Sequence, residues 1–130
     1  MTFFNSKAAD PVKIFARTLF EGIDRQAIRV ASKDEFAAAP DEFIGFKDGE
    51  YWFFWSGKLF QHVRVEYQMK GKTFPLTQGR LWEALYINHV LIPARTREES
   101  GGKFEYSVRV GFGNRPHMIR IDPAALRSYL

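Results

Sequence analysis

The sequence predicts an α+β domain in which helices alternate with two β-hairpins. Three observations carry that expectation. Apolar residues recur at helical spacing at 11–22, 57–70 and 78–91. An Asp-Gly pair at 48–49 and a Gly-Asn pair at 113–114 each separate strand-like stretches. The chain has 130 residues, 45% hydrophobic and 16% aromatic, which suits a single domain with a core spanning residues 10–126.

The first helix is predicted to begin at Asp10-Pro11, an N-cap followed by proline at the first helical position. Ile14, Phe15, Thr18 and Leu19 share its inward face, and Gly22 is expected to end it. "QAIRVA", 26–31, is β-branched and reads as a short strand. Ser32 and Glu35 have the spacing of a capping box, opening a short helix through Phe36 towards Pro40.

Phe43–Phe46 and Glu50–Trp55 then flank the Asp48-Gly49 turn, where both turn positions favour positive φ. In the second strand Trp52 and Phe54 share one face, and Tyr51, Phe53 and Trp55 the other. Five apolar residues in a row need cover on both sides. The following helix, capped by Ser56 and turning Leu59, Phe60, Val63 and Tyr67 inward, is the expected cover for the second face. Val63 and Val65 leave a strand there as an alternative. Should one aromatic face stay open, it would stack unpaired bases or meet a partner protein.

Gly71-Lys72-Thr73 breaks the chain, and Pro75 holds Phe74 extended. Thr77 caps the next helix, whose inward stripe is expected to hold Leu81, Trp82, Leu85, Tyr86 and His89. Pro93 stops it, and 96–103 is a polar loop with a Gly-Gly tip. "KFEYSVRVGF", 103–112, alternates strictly, with Phe104, Tyr106, Val108, Val110 and Phe112 facing in. "HMIRI", 117–121, returns as its antiparallel partner. Asp122-Pro123 opens a last helical turn. A helix pair followed by a two-stranded hairpin is the outline of a winged helix-turn-helix.

Few groups converge for catalysis. There is no cysteine, hence no thiol nucleophile or thiolate metal site. His62, His89 and His117 lie on different predicted elements without i, i+4 spacing. Asp34-Glu35 is explained by helix capping, and Asp41-Glu42 falls in a solvated loop beside Pro40. "GFGN", 111–114, lacks the third glycine and following helix of a dinucleotide site. "GKT", 71–73, lacks the upstream glycine of a phosphate-binding loop, because Glu66 stands at that position. No enzymatic activity, metal or cofactor is expected. No apolar run approaches the roughly 20 residues of a membrane span, and "MTFFNSKAADPVK" is unlike a signal peptide. The expectation is a cytoplasmic protein without a membrane partner.

Charge is unevenly placed. Residues 1–57 carry −2 and residues 58–130 carry +6, for a total of +4. The basic second half points to a polyanionic partner.

Three stretches, "FIGFKDGEYWFFWSGKLFQHV", "PLTQGRLWEALYINHVLIPA" and "KFEYSVRVGFGNRPHMIRID", resemble the C-terminal winged-helix domains of mobile-element DNA-processing proteins. These are the conjugative relaxase and helicase proteins and the phage and plasmid primase-helicase proteins. The resemblance spans residues 10–126. It implies a non-catalytic winged-helix module serving DNA transfer or replication, without the helicase or nicking core. It also implies nucleic acid as partner, DNA ahead of RNA, with a helicase or relaxase as a second partner. In such a fold the start of the second helix meets base edges, which selects Gln78 and Arg80, with Glu83 nearby. The wing would present Arg95, Arg97, Lys103, Arg109, Arg115 and Arg120 to phosphates, with His117 on the same strands. The alternative is a protein-interaction or dimerisation domain of the same fold.

Overall fold

Asp10 starts the first described element as its sequence suggests. Its carboxylate accepts from the Val12 amide at 3.0 Å, and Pro11 occupies the first turn of α1, Pro11–Asp24. The computed structural model describes residues 10–93, the backbone of 107–108, and residues 118–130. Val12, Phe15, Ala16, Thr18, Leu19 and Gly22 form the buried face of α1. The helix does not stop at Gly22. Its end is a Schellman turn, with the Ala27 amide donating to the Gly22 carbonyl and Gln26 taking the left-handed conformation at φ 60°. Gly22 is instead a contact glycine, because a Cβ there would press into the Ile28 side chain.

The strand expected over 26–31 is shorter and shifted: β1 is Val30–Ser32. Ser32 also opens α2, Lys33–Ala38, through a complete capping box with Glu35. A 3-10 turn, Pro40–Glu42, leads into β2, Gly45–Asp48, which runs parallel to β1. β2 and β3, Tyr51–Trp55, form the predicted hairpin with Asp48 opposite Tyr51. That register makes Gly49 and Glu50 the two loop residues. Only Gly49, at φ 63°, is left-handed, as in a type II′ turn, so Asp48 needs no positive φ.

Trp55 supplies the N-cap position of α3, Ser56–Gln68, without a side-chain cap. Ser56 is therefore the first helical residue and not the cap, and Val63 and Val65 are helical. Thr77 caps α4, Gln78–Ile87, by accepting from the Arg80 amide. This helix too ends earlier than its apolar pattern suggests. The Val90 amide donates to the Leu85 carbonyl, and His89 is exposed at φ 61° just past the helix, outside the inward stripe assigned to it.

β4, Ser107–Val108, pairs antiparallel with β5, Met118–Ile121. The remainder of the second predicted hairpin lies outside the described residues. β5 also pairs antiparallel with β3, from Trp52–Ile121 to Trp55–Met118. One five-stranded mixed sheet results, in the order β1-β2-β3-β5-β4. Asp122 caps α5, Pro123–Arg127, as predicted.

The protein is therefore an α+β fold with helices on both faces of one sheet. On the first face Trp52, Phe54, Ile119 and Ile121 join Phe15 and Leu19 of α1, Leu59 and Val63 of α3, Leu81 and Leu85 of α4, and Leu126 of α5. On the second face Ala31, Phe46, Trp55 and Met118 are covered by Phe36 of α2. The predicted cover is thus reversed: α3 packs on the first face, and the short α2 on the second. The reason is direction. α3 starts immediately after Trp55 and carries Leu59 and Val63 to the Phe54 side. α2 follows β1 and crosses to the Phe46 side, within 5.0 Å of that ring. Ion pairs Arg25–Glu66 and Lys70–Glu21 tie α1 to the far end of α3.

Candidate functional site

The two helix residues singled out from the sequence sit where the Thr77 cap puts them. Arg80 is exposed and Gln78 half-buried in the first turn of α4, while Leu81 and Trp82 turn into the core. Arg80 has no ion pair among the described residues.

Arg120 lies elsewhere. It stands opposite Phe53 in the β3–β5 pair, so it projects from the second face, whereas α4 packs on the first. Its guanidinium lies 5.5 Å from the Tyr51 ring centroid, and Nη2 donates to the Pro93 carbonyl at 3.0 Å. Its Nε is buried without a hydrogen-bond partner among the described residues. Arg120 is thus a half-buried cation holding the chain after α4 against the sheet. The structure does not bring Arg80 and Arg120 onto one surface. Arg95, Arg97, Lys103, Arg109, Arg115 and His117 lie outside the described residues.

Two cations not singled out from the sequence share one aromatic ring. The Lys47 ammonium lies 5.2 Å from the Trp52 ring centroid, and Arg127 Cζ lies 5.5 Å from it. Arg127 also lies 5.3 Å from the Phe20 ring, which meets Trp52 edge-on at 5.7 Å. The Lys47–Trp52 neighbourhood was legible in principle, because a two-residue turn at Gly49-Glu50 makes them cross-strand partners. Arg127 had no local signal, since α5 reaches Trp52 only through the β3–β5 pairing.

A hollow of about 400 Å³ lies between the β1 approach, the 3-10 turn and the start of α3. Arg29, Lys58 and His62 line it together with Asp41 and Glu42, so it carries both signs of charge. Arg29 sits 4.8 Å above the Phe43 ring. Among the described residues no group of three or more His, Asp or Glu side chains is placed to hold a metal ion. His62 and His89 are both exposed, on α3 and beyond the end of α4.

No protein-family model, curated protein or solved structure matches the chain. In residues 58–93 and 118–130, Lys58, Lys72, Arg80 and Arg127 have no carboxylate partner among the described residues. Of the acids there, Glu66 is paired with Arg25 and Asp122 is engaged in capping α5, which leaves Glu83. Among the described residues no helix is long and apolar enough to cross a membrane.

Proposed function

We propose that the chain is a non-catalytic nucleic-acid-binding module of winged-helix-like kind, serving transfer or replication of a mobile element in the cytoplasm. The observation that carries this reading is the excess of unpaired cations over unpaired acids among the described residues of 58–93 and 118–130. Such an excess attracts phosphates through counterion release and without reference to base sequence. Arg80, free in the first turn of α4, is suited to meet a base edge or a phosphate. The link to mobile elements is supported by the resemblance of the three aromatic and basic stretches, and DNA comes ahead of RNA on the same ground.

The test is binding of a labelled single strand and a labelled duplex over a range of salt. Wild type should bind both, with affinity falling as salt rises. Arg80→Ala combined with Arg97→Ala should weaken binding and flatten the salt slope by about one unit per lost phosphate contact. Absence of salt-sensitive binding to either ligand would remove the proposal.

A second reading, a protein-interaction or dimerisation domain that docks on a helicase or relaxase, is favoured by one feature. Ile87 and Leu130 are 62% and 55% exposed. The neighbouring Asn88 and Tyr129 are joined by a 2.9 Å hydrogen bond, which brings these apolar residues to one region. A mass that rises with protein concentration, together with no nucleic-acid binding, would favour this reading over the first.

A further inference from the structure

We propose that Lys47 and Arg127, held on the Trp52 ring, form a two-cation clamp for backbone phosphates of nucleic acid. This rests on the nucleic-acid reading above and assigns it a surface that the sequence did not mark.

Three features carry the inference. First, the two charges are positioned before any ligand arrives. Lys47 is the cross-strand partner of Trp52 on the first face of the sheet, so its ammonium is held beside the ring. Arg127 is fixed by the Asp122 cap and by Leu126, whose side chain is fully buried. Its guanidinium then spans Phe20 and Trp52. Electrostatic attraction to the ring faces restrains both groups, and restrained groups lose less freedom on binding.

Second, the acids at the ends of the two elements that carry these charges, Asp48 of β2 and Asp122 before α5, are engaged elsewhere. Asp48, next to Lys47, pairs with Lys33 at 3.4 Å. Asp122 accepts from the Ala124 and Ala125 amides at 3.0 and 3.3 Å. Neither Lys47 nor Arg127 has an ion-pair partner among the described residues. Two like charges sharing one ring repel each other, and an anion between or across them relieves that repulsion.

Third, the pair has complementary chemistry. Arg offers a planar fork to two phosphate oxygens, and Lys offers a point charge. Trp52 is only 6% exposed, so the ring holds the cations and is not itself a platform for bases. The clamp therefore contacts backbone and reads no sequence. The mixed-charge hollow beside Arg29 and Lys58 lacks this selectivity, because Asp41 and Glu42 line it too.

The experiment compares wild type, Lys47→Gln/Arg127→Gln and Arg80→Gln, each checked for folding by circular dichroism. The probes are a labelled thymidine oligonucleotide and a labelled short duplex, titrated at several salt concentrations. The double variant should bind roughly tenfold more weakly at low salt, with a slope about 0.7 units smaller per lost contact on the single strand and about 0.9 on the duplex. Arg80→Gln should add to this independently. If the double variant does not fold, Lys47→Gln alone, at an exposed strand position, should give half the slope change. A folded double variant that binds like wild type overturns the clamp while the nucleic-acid reading stands. Wild type without salt-sensitive binding overturns both.

Discussion

The two faces of the sheet are built on different scales. The first face is sealed by four helices, and Phe15, Leu19, Phe54, Leu59, Leu81 and Leu85 are all fully buried there. Among the described residues the second face has a small cluster in which Phe36 of a six-residue helix covers Phe46, Trp55 and Met118. Phe53, half-buried, stacks on Phe46 at the edge of that cluster, and beyond it Tyr51 and Arg120 remain half-buried. A helix as short as α2 has no stability of its own. Its place depends on one buried ring and on the capping box of Ser32 and Glu35. The first face therefore sets global stability, while the second depends on local structure that can open independently.

The largest effect should come from the first face. Phe54→Ala would leave a cavity bordered by several helices, and should cost about 4 kcal/mol in a denaturant melt, with loss of the whole fold. Phe36→Ala removes an equally buried ring, but α2 can detach and leave little cavity. Its cost should stay near the low end for such a change, about 3 kcal/mol. Amide exchange in α2 should accelerate well before exchange in α1 or α4. Equal cost and equal exchange at both sites would erase the distinction between the faces.

A smaller effect sharpens the same contrast. The Ser32 backbone hydrogen bond, followed by that of the Ser32 side chain, lowers the Glu35 pKa below the ordinary glutamate range, with a weaker contribution from Arg29. A carboxylate whose pKa is depressed on folding stabilises the fold above its unfolded pKa. That contribution is lost as pH falls through the folded value. Glu35→Gln keeps a side-chain acceptor for the Ser32 amide but removes the titration. Acidification should therefore weaken α2 more in wild type than in Glu35→Gln, as read from amide exchange of residues 33–38. The same pH dependence in both proteins would show that the capping carboxylate does not hold this helix.

The sequence made four helix starts legible, though not that of α3, whose N-cap is Trp55 and not Ser56, nor that of β1, and it made ends and partners less so. Asp10, Ser32 with Glu35, Thr77 and Asp122 cap helices where their spacing suggests, because capping is an interaction over two or three residues. The ends of α1 and α4 differ from expectation because Gln26 and His89, not glycines, take the left-handed positions. The parallel β1–β2 pairing and the placement of β5 beside β3 have no local signature, so which helix covers which face could not be read. The candidate site divides in the same way. The exposure of Arg80 follows from the Thr77 cap and the 3.6-residue period. The seat of Arg120 on Tyr51 and of Arg127 on Trp52 follows from long-range strand pairing.

The indole protons of the three tryptophans test the central claim most directly, because Trp52 lies on the first face beside Lys47 and Arg127, Trp55 on the second, and Trp82 in α4. In an NMR titration with a thymidine oligonucleotide at low salt, the Trp52 indole resonance should move. The Trp55 resonance should stay in place, and added salt should reverse the Trp52 shift. Movement of Trp55 with Trp52 unmoved would put the ligand on the opposite face and contradict the account.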